Sequence, residues 1–197
     1  DYGAKDKIRI YGGKYSATKF KGLIMSLISS IPTLILAFIC VLSLIIYIAG
    51  GVGIAPVYPQ VKWLYEHGVK ADVIVGSKTK DLLILEDEMK AVAGNLYVTT
   101  DDGSYKESGF AINYLEKDLN EFDGIYACGP LQMLKAVKKL AEEKEIPCQI
   151  SLEEKMGCGL GVCLGCAVKT SASPKDAPEY VHVCKAGPVF DSKIVEI

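Results

Sequence analysis

This chain has no excess of charge of either sign. Its 197 residues include 22 Lys and Arg against 24 Asp and Glu, which gives a formal net charge of −2. A protein that binds nucleic acid by neutralising phosphates needs a surplus of basic residues, so we exclude that class. Because 50% of the residues are hydrophobic, we also exclude an intrinsically disordered chain.

Charged residues are missing altogether from one stretch, residues 22–61. Its first part, 23–42, is long enough for a transmembrane helix, which needs about 20 apolar residues. Pro32 and several serines weaken that interpretation. The alternatives are an apolar helix that packs on the sheet or on a partner, and an anomaly of the sequence. We therefore expect an atypical N-terminal segment, 1–41, that contains an apolar helix.

Two further features of the N-terminus bear on processing and localisation. The chain begins at Asp1 rather than Met, which we interpret as a fragment or a processed product. No cleavable signal sequence is recognisable, so we expect a cytoplasmic protein. Association with a membrane through 23–42 is the alternative.

From residue 42 onward, short apolar runs alternate with helical patterns. The predicted strands begin near residues 44, 72, 96, 124 and 148. Such a rhythm is typical of βα units, in which parallel strands buried on both faces are continuously apolar. We therefore predict an α/β fold with a five-stranded parallel nucleotide-binding sheet over 42–152 and a small cysteine subdomain over 153–197. The predicted helices cover 56–67, 82–91, 110–119 and 131–144, with Asp81 as the cap of the second.

A glycine-rich turn, Gly50-Gly51-Val52-Gly53-Ile54-Ala55-Pro56, follows the first predicted strand. Such a turn lies at the carboxyl edge of a parallel sheet, where a helix N-terminus offers free N–H groups to a pyrophosphate. Glycines let the backbone approach the phosphates, and Pro56 removes an N–H that is unpaired in any case. Because the G-x-G-x-x-G fingerprint is incomplete, a tight turn without a ligand is the alternative.

Other predicted strands end at the same edge. Ser77 follows the second strand, where its hydroxyl and the nearby Lys78 and Lys80 could contact a ribose or its 2′-phosphate. Asp101 follows the third strand and could accept a hydrogen bond from a sugar hydroxyl, or form a turn with Gly103. The fourth strand is followed by Gly129 and Pro130, after Cys128.

Four of the seven cysteines are crowded into the last 40 residues, with the spacing Cys158-x4-Cys163-x2-Cys166-x17-Cys184. This is the plant-type [2Fe–2S] spacing, and the intervening glycines leave the backbone free to wrap around a cluster. Zinc sites usually contain two Cys-x2-Cys clamps, and here only Cys163 and Cys166 form one. An odd number of cysteines argues against a complete disulfide framework. We predict a [2Fe–2S] site, with zinc and disulfides as alternatives.

Several segments together resemble the electron-transfer subunit of dihydroorotate dehydrogenase, a family of ferredoxin-reductase-like flavoproteins. They are Gly-Gly-Val-Gly-Ile-Ala-Pro at 50–56, Thr-Asp-Asp-Gly-Ser-Tyr at 100–105, Tyr-Ala-Cys-Gly-Pro at 126–130, and the tail that ends Cys-Lys-Ala-Gly-Pro-Val-Phe at 184–190. The resemblance covers about residues 44–197. Residues 55–61 and 81–89 are also similar to the related subunit of sulfide dehydrogenase and of NADH-dependent ferredoxin:NADP oxidoreductase.

The resemblance implies a relay. In that family NADH gives hydride to FAD, the flavin passes single electrons to a [2Fe–2S] cluster, and the cluster feeds a partner catalytic flavoprotein subunit. The partner would here be the dihydroorotate dehydrogenase catalytic chain of pyrimidine biosynthesis. The cofactors carry the chemistry, so no catalytic side chain is implied. The alternative functions are a non-catalytic nucleotide-binding module with a zinc-stabilised tail, and a subunit of sulfide dehydrogenase or of ferredoxin:NADP oxidoreductase.

The residues implied in binding form two sets. The nicotinamide nucleotide, NAD(P)H, is expected at Gly51, Gly53, Ala55, Pro56, Ser77, Asp101, Cys128, Gly129 and Pro130, and the iron at Cys158, Cys163, Cys166 and Cys184. The family also places a flavin-binding β-barrel ahead of the nucleotide domain. About 40 residues precede that domain here, too few for a barrel, so we expect FAD on another chain or an incomplete relay.

Overall fold

A computed structural model describes residues 44–118, 122–171 and 179–197. The predicted apolar helix within 23–42 lies outside these residues. A central sheet contains seven strands: β1 (Ile45–Gly50), β2 (Asp72–Ser77), β3 (Leu96–Thr100), β4 (Glu107–Ser108), β5 (Gly124–Cys128), β6 (Cys148–Ser151) and β9 (Val189–Asp191). Their order is β4-β3-β2-β1-β5-β6-β9, and all neighbours are parallel except β6 and β9. A second, antiparallel sheet pairs β7 (Ala167–Lys169) with β8 (Tyr180–His182).

The α/β fold with a mostly parallel sheet is confirmed, and all five predicted strands are present. The sheet is wider than predicted because β4 and β9 extend it at its two edges. These strands contain two and three residues, too few to show an apolar run in the sequence. Strand β9 comes from the cysteine tail, so the tail is part of the central sheet.

Within the described residues, five helices connect or flank these strands: α1 (Ile54–Glu66), α2 (Glu86–Val92), α3 (Ala111–Asp118), α4 (Leu131–Glu143) and α5 (Val183–Ala186). The first, third and fourth predicted helices are present, with bounds that differ by one or two residues within the described parts of the chain. The bounds of the second were wrong. Lys80–Leu82 forms a separate 3₁₀ turn, and the left-handed residue Leu85 precedes α2. Asp81 is therefore not its cap.

The late start of α2 has an electrostatic reason. Three acidic residues, Glu86, Asp87 and Glu88, occupy its first turn. Negative side chains at this position interact favourably with the positive end of the helix dipole. Leu82 is exposed, so the apolar residues that suggested an earlier start do not form a buried helix face.

The helices cover the two faces of the sheet. Helices α1 and α2 pack on one face, around Tyr47, Val73 and Tyr126. Helices α3 and α4 pack on the other face, and the same core includes Cys166 and Phe190 of the tail. The tail therefore packs against the nucleotide-binding part. Among the residues that the structure describes, no helix is both long and apolar enough to cross a membrane.

Candidate functional site

The carboxyl ends of four parallel strands meet at one edge of the sheet. Gly50 at the end of β1 pairs with Gly76 of β2, Ser77 pairs with Thr100 of β3, and Cys128 of β5 pairs with Ala49. The structure therefore brings the predicted turns together at this edge, which is the usual ligand site of an open parallel sheet. We call it the nucleotide edge.

Two of these turns contact each other through their backbones. A Cβ atom at Gly53 would lie 2.3 Å from the carbonyl oxygen of Cys128, and one at Gly129 would lie 2.8 Å from the backbone nitrogen of Gly50. Neither position has room for a side chain. The glycine turn and the turn at 128–130 thus form one compact cradle, which leaves the backbone accessible to a ligand.

Helix α1 points its N-terminus into this cradle. A 3₁₀ turn, Gly51–Gly53, leads directly into it, and the Ile54 N–H donates to the carbonyls of Gly51 and Val52. The N–H groups without a side-chain cap are therefore those at the start of this turn. Ala55 and Pro56 are exposed, and no acidic residue occupies the first turn. Free N–H groups and a positive helix end suit an anionic pyrophosphate. The backbone of this turn, rather than its side chains, is therefore the binding element.

Ser77 and Asp101 lie next to each other at the neighbouring strand ends. The Ser77 hydroxyl is buried and donates to the carbonyl of Thr79 at 3.0 Å, while the Asp101 N–H donates to the carbonyl of Ser77 at 2.9 Å. The next aspartate, Asp102, accepts a hydrogen bond from the N–H of Ser104, and its hydrogen bonds to Ser104 lower the pKa of its carboxyl group. Asp102 thus forms the turn, and the carboxylate of Asp101 is exposed.

Sequence reasoning missed the residues that hold this loop. The buried Thr100 hydroxyl donates to the carbonyl of Tyr105 at 2.8 Å and accepts from its N–H at 3.1 Å. The Lys80 ammonium lies 5.0 Å from the centre of the Tyr105 ring, within reach of a cation–π interaction. Only the family resemblance of residues 100–105 pointed to this loop. The burial of Thr100 cannot be predicted from the sequence, because a buried threonine has no distinctive sequence pattern.

The first cysteine of the tail sits among backbone donors. Its sulfur, Cys158 Sγ, lies 3.4 Å from the N–H nitrogens of both Leu160 and Cys163. These backbone hydrogen bonds, the one from Cys163 foremost, lower the pKa of the Cys158 thiol to about 6. The thiolate is the form that binds metal, so the loop is suited to that role before any metal arrives.

The four tail cysteines influence one another's ionisation. Cys163 contributes, after the backbone N–H groups, to the lowered pKa of the Cys158 thiol. Cys166 is the largest cause that raises the pKa of the Cys184 thiol, and the charge of Cys158 contributes as well.

The four tail cysteines provide the number of thiolates that a [2Fe–2S] cluster requires. Within the described residues, no three His, Cys, Asp or Glu side chains are placed to hold one metal ion. A [2Fe–2S] cluster does not need such a group, because its four thiolates are shared between two irons. Gly157 and Gly165 lie beside Cys163, and a Cβ atom at either would be 3.5 or 3.6 Å from its sulfur. The residues present therefore fit the predicted cluster.

The other described cysteines lie elsewhere. Cys128 and Cys148 are buried in β5 and β6, and burial raises the pKa of both thiols, that of Cys148 to about 12. They are small apolar core residues, as predicted. Cys128 can contribute to the nucleotide edge through its backbone alone.

Comparison with known proteins supports both the nucleotide edge and the cysteine tail. Residues 47–139 match the oxidoreductase NAD-binding domain, and residues 153–196 match the iron-sulfur cluster binding domain of dihydroorotate dehydrogenase B. The chain therefore contains one region similar to the NAD-binding domain of oxidoreductases and one region similar to an iron–sulfur cluster binding domain. These matches support the [2Fe–2S] cluster and the NAD(P)H predicted from the sequence.

Individual relatives narrow this class. The chain is 42% identical over 150 residues to the electron transfer subunit of dihydroorotate dehydrogenase B (NAD(+)) of Lysinibacillus sphaericus, covering 76% of this chain and 56% of the relative. It is 46% identical over 154 residues to an uncharacterized protein of Clostridium beijerinckii, covering 76% and 50%. The solved structure of an NADH-dependent reduced ferredoxin-NADP oxidoreductase aligns with a TM-score of 0.67 and 35% identity, over 78% of this chain and 54% of that one.

These comparisons confirm the predicted resemblance: the chain is similar to the electron-transfer subunits of dihydroorotate dehydrogenase B and to the ferredoxin-NADP oxidoreductase. It spans about half the length of the curated relatives that it matches.

Proposed function

We propose that this chain is part of an electron-transfer subunit, in which NAD(P)H is the electron source and a partner catalytic subunit is the destination. The observation that carries the proposal is the Cys158 sulfur of the cysteine tail held by two backbone N–H groups, in the same chain as a nucleotide edge. The names of the relatives support dihydroorotate dehydrogenase B as the host enzyme. Because NAD(P)H is used in the cytoplasm, we propose that location.

The nucleotide edge would bind NAD(P)H through backbone groups. The turn at Gly51–Pro56 and residues 128–130 would hold the pyrophosphate and the nicotinamide end, because their glycines expose the backbone and no side chain caps the 3₁₀ turn that leads into α1. Ser77 and Asp101 lie where the ribose of a nucleotide at this edge would be held. None of these groups needs to donate or remove a proton.

The tail would hold the iron through Cys158, Cys163, Cys166 and Cys184, with the backbone N–H groups of Leu160 and Cys163 stabilising sulfur charge. When bound, a cluster supplies one-electron transfer, and a flavin between it and the nucleotide is needed because hydride carries two electrons. We propose that this flavin is bound outside the described residues.

The experiment is metal and spectral analysis of the purified chain and four single Cys→Ser variants at the tail positions. We expect about two irons and two acid-labile sulfides per chain, and a brown colour that dithionite bleaches. Each tail variant should lose most of the iron. Cys148→Ala is the matched control, because that cysteine is buried in β6 and is not one of the four predicted iron ligands, and it should keep the iron. A colourless chain that contains zinc would instead establish the nucleotide-binding module.

A further inference from the structure

We propose that the uncharged segment 23–42 of this same chain docks in an apolar groove beside α1. The groove has a volume of about 940 Å³ and lies at the amino ends of β1, β5 and β6, at the edge of the sheet opposite the nucleotide edge. Its principal lining residues are Tyr47, Trp63, Leu64, Tyr126, Pro188 and Val189. This docking is independent of electron transfer and of the function proposed above.

The groove lies where α1 leaves the β6 margin of one sheet face uncovered. Tyr47, Tyr126 and Gln149 are neighbours in the strand register and lie on the α1 side of the sheet. Tyr47 and Tyr126 are buried, whereas Gln149, Trp63 and Pro188 are exposed. Parallel sheets are normally covered on both faces. The uncovered margin therefore offers a place for a further segment of chain.

Chain connectivity points to the occupant. Leu44 is the first described residue, and its N–H donates to the carboxylate of Asp123 at 3.0 Å. The next residue, Ile45, lines the groove. The segment that ends at Leu42 is thus tethered within two residues of the groove. A short tether gives an effective concentration in the millimolar range, which no separate partner matches without a high affinity.

The composition of the segment fits the groove. Residues 23–42 contain no charged side chain, so docking would not desolvate a charge. The groove is mostly apolar: of its two glutamines, Gln60 already donates to the Tyr126 hydroxyl at 3.0 Å, and Gln149 is exposed at the margin. Twenty helical residues would extend about 30 Å, so one helix face is enough to fill the groove.

The distribution of polar and apolar residues in the segment favours docking through one helix face rather than a membrane span. Ser26, Ser29, Ser30 and Thr33 recur at helical spacing and would share one side of a helix. Ile28, Ile31 and Ile35 would share the opposite side. A helix in lipid needs no hydroxyl-bearing side, whereas a helix in an open groove exposes one side to water. We therefore assign the isoleucine side to the groove.

Photo-cross-linking of the full chain tests the proposal. Trp63→p-benzoylphenylalanine places the probe in the groove, and Tyr65→p-benzoylphenylalanine is the matched control, since both residues lie on α1 and are 45% exposed but only Trp63 lines the groove. A mixture of isotopically light and heavy chains separates cross-links within one chain from those between chains. We expect light–light and heavy–heavy cross-links from position 63 to residues 23–42, and several-fold fewer from position 65.

Other cross-linking results would overturn the proposal. Mixed light–heavy products would show that the segment docks on a second copy. Equal yields from positions 63 and 65, or no cross-link to 23–42, would show that the groove is not its site. Recovery of the chain in the membrane fraction with no cross-link from position 63 would show that the segment is inserted in lipid.

A second measurement uses the natural chain, because Trp63 is its one tryptophan. Ile31→Glu should raise the acrylamide quenching of Trp63 fluorescence several-fold, because a charge on the docked side displaces the segment. Ser30→Glu introduces the same charge one residue away on the polar side and should leave the quenching unchanged. Equal quenching in the natural chain and both variants would contradict docking. Far-ultraviolet circular dichroism checks that both variants fold.

Discussion

Gly53 shows how a single missing methyl group builds the nucleotide edge. A Cβ atom there would lie 2.3 Å from the carbonyl oxygen of Cys128 and 2.7 Å from its carbonyl carbon. Both are backbone atoms, so the clash cannot be relieved by a rotamer change. The turn after β1 and the turn after β5 must therefore separate if any side chain is introduced.

Gly53→Ala tests this contact. We expect the free energy of unfolding to fall by about 1–3 kcal/mol, the usual cost of overpacking, and NADH affinity to fall at least about tenfold as the cradle opens. Gly124→Ala is the control, because its nearest non-neighbouring atom would be 3.8 Å away. Denaturant unfolding and NADH titration measure the two effects. Unchanged NADH affinity in Gly53→Ala would show that the cradle does not bind the nucleotide.

The Cys148 thiol makes the free energy of unfolding depend on pH in the alkaline range. Burial in β6 raises the pKa of its thiol to about 12, above the ordinary value of 9.0. Below pH 9 the thiol is neutral in both the folded and unfolded chains. Between pH 9 and pH 12 only the unfolded chain loses the proton, so stability falls by about 1.4 kcal/mol per pH unit until the folded thiol also ionises.

Cys148→Ala removes this pH dependence without removing other buried groups. On going from pH 8 to pH 10, the natural chain should lose about 1.4 kcal/mol more unfolding free energy than the variant. Denaturant unfolding at both pH values, with a reductant present, measures the difference. The contributions of Tyr47 and Cys128 are common to both chains and cancel. Parallel losses in the two chains would place the Cys148 thiol near its ordinary pKa.

At the scale of elements, the sequence predicts what is local. Strands β1, β2, β3, β5 and β6 were predictable because each is a continuous apolar run between turn signals. Strands β4 and β9 were not, because their pairing depends on which edge the folded sheet leaves open. The start of α2 was misplaced because apolar residues at 82–85 precede the acidic turn that begins the helix.

In the site, as in the fold, local patterns were predictable and tertiary contacts were not. The cysteine spacing and the glycine turn are local patterns, and they predicted a cluster and a nucleotide edge. The approach of Gly53 to Cys128 joins turns 75 residues apart, and the role of Thr100 in holding Tyr105 requires burial. Neither is visible before the chain folds, because both depend on tertiary packing.

A hydrogen bond from Lys138 connects α4 to the C-terminal residues of the chain. Lys138 Nζ donates to the carbonyl of Val195 at 2.6 Å, and the next residue, Glu196, donates its N–H to the carbonyl of Lys169 in β7. This places Lys138 between the nucleotide-binding part and the cysteine tail. The hydrogen bond is charge-assisted and partly buried, so it contributes more than an exposed ion pair.

Lys138→Met should therefore lower the unfolding free energy by about 1.5–3 kcal/mol and increase amide hydrogen exchange in β7. Lys139→Met is the matched control, because both lysines lie on α4 and each is 3.8 Å from a glutamate four residues later. Lys139 is exposed, and its loss should change stability by less than about 0.5 kcal/mol. Equal effects of the two substitutions would show that the Val195 contact is not stabilising.

At the scale of the whole molecule, large apolar side chains surround the cysteine loop. Met156, Leu160, Val162 and Leu164 are all exposed, Val162 by 81%. We call these residues the apolar collar. Exposed apolar patches of this kind mark protein contacts, and the collar lies beside the cysteines that would deliver electrons. The collar is therefore the surface on which we expect the partner catalytic subunit to dock.

Val162→Glu tests the collar without touching a cysteine. We expect iron content and NADH binding to be unchanged, and affinity for the dihydroorotate dehydrogenase catalytic subunit to fall at least about tenfold, because the substitution buries an unpaired charge in the contact. Leu82→Glu is the control: it is also exposed, by 56%, but follows β2, four strands from β9 in the sheet. Titration of labelled partner against each chain measures the affinities. If Val162→Glu and Leu82→Glu bind the partner equally well, the partner docks elsewhere and electrons must leave the cluster through another surface.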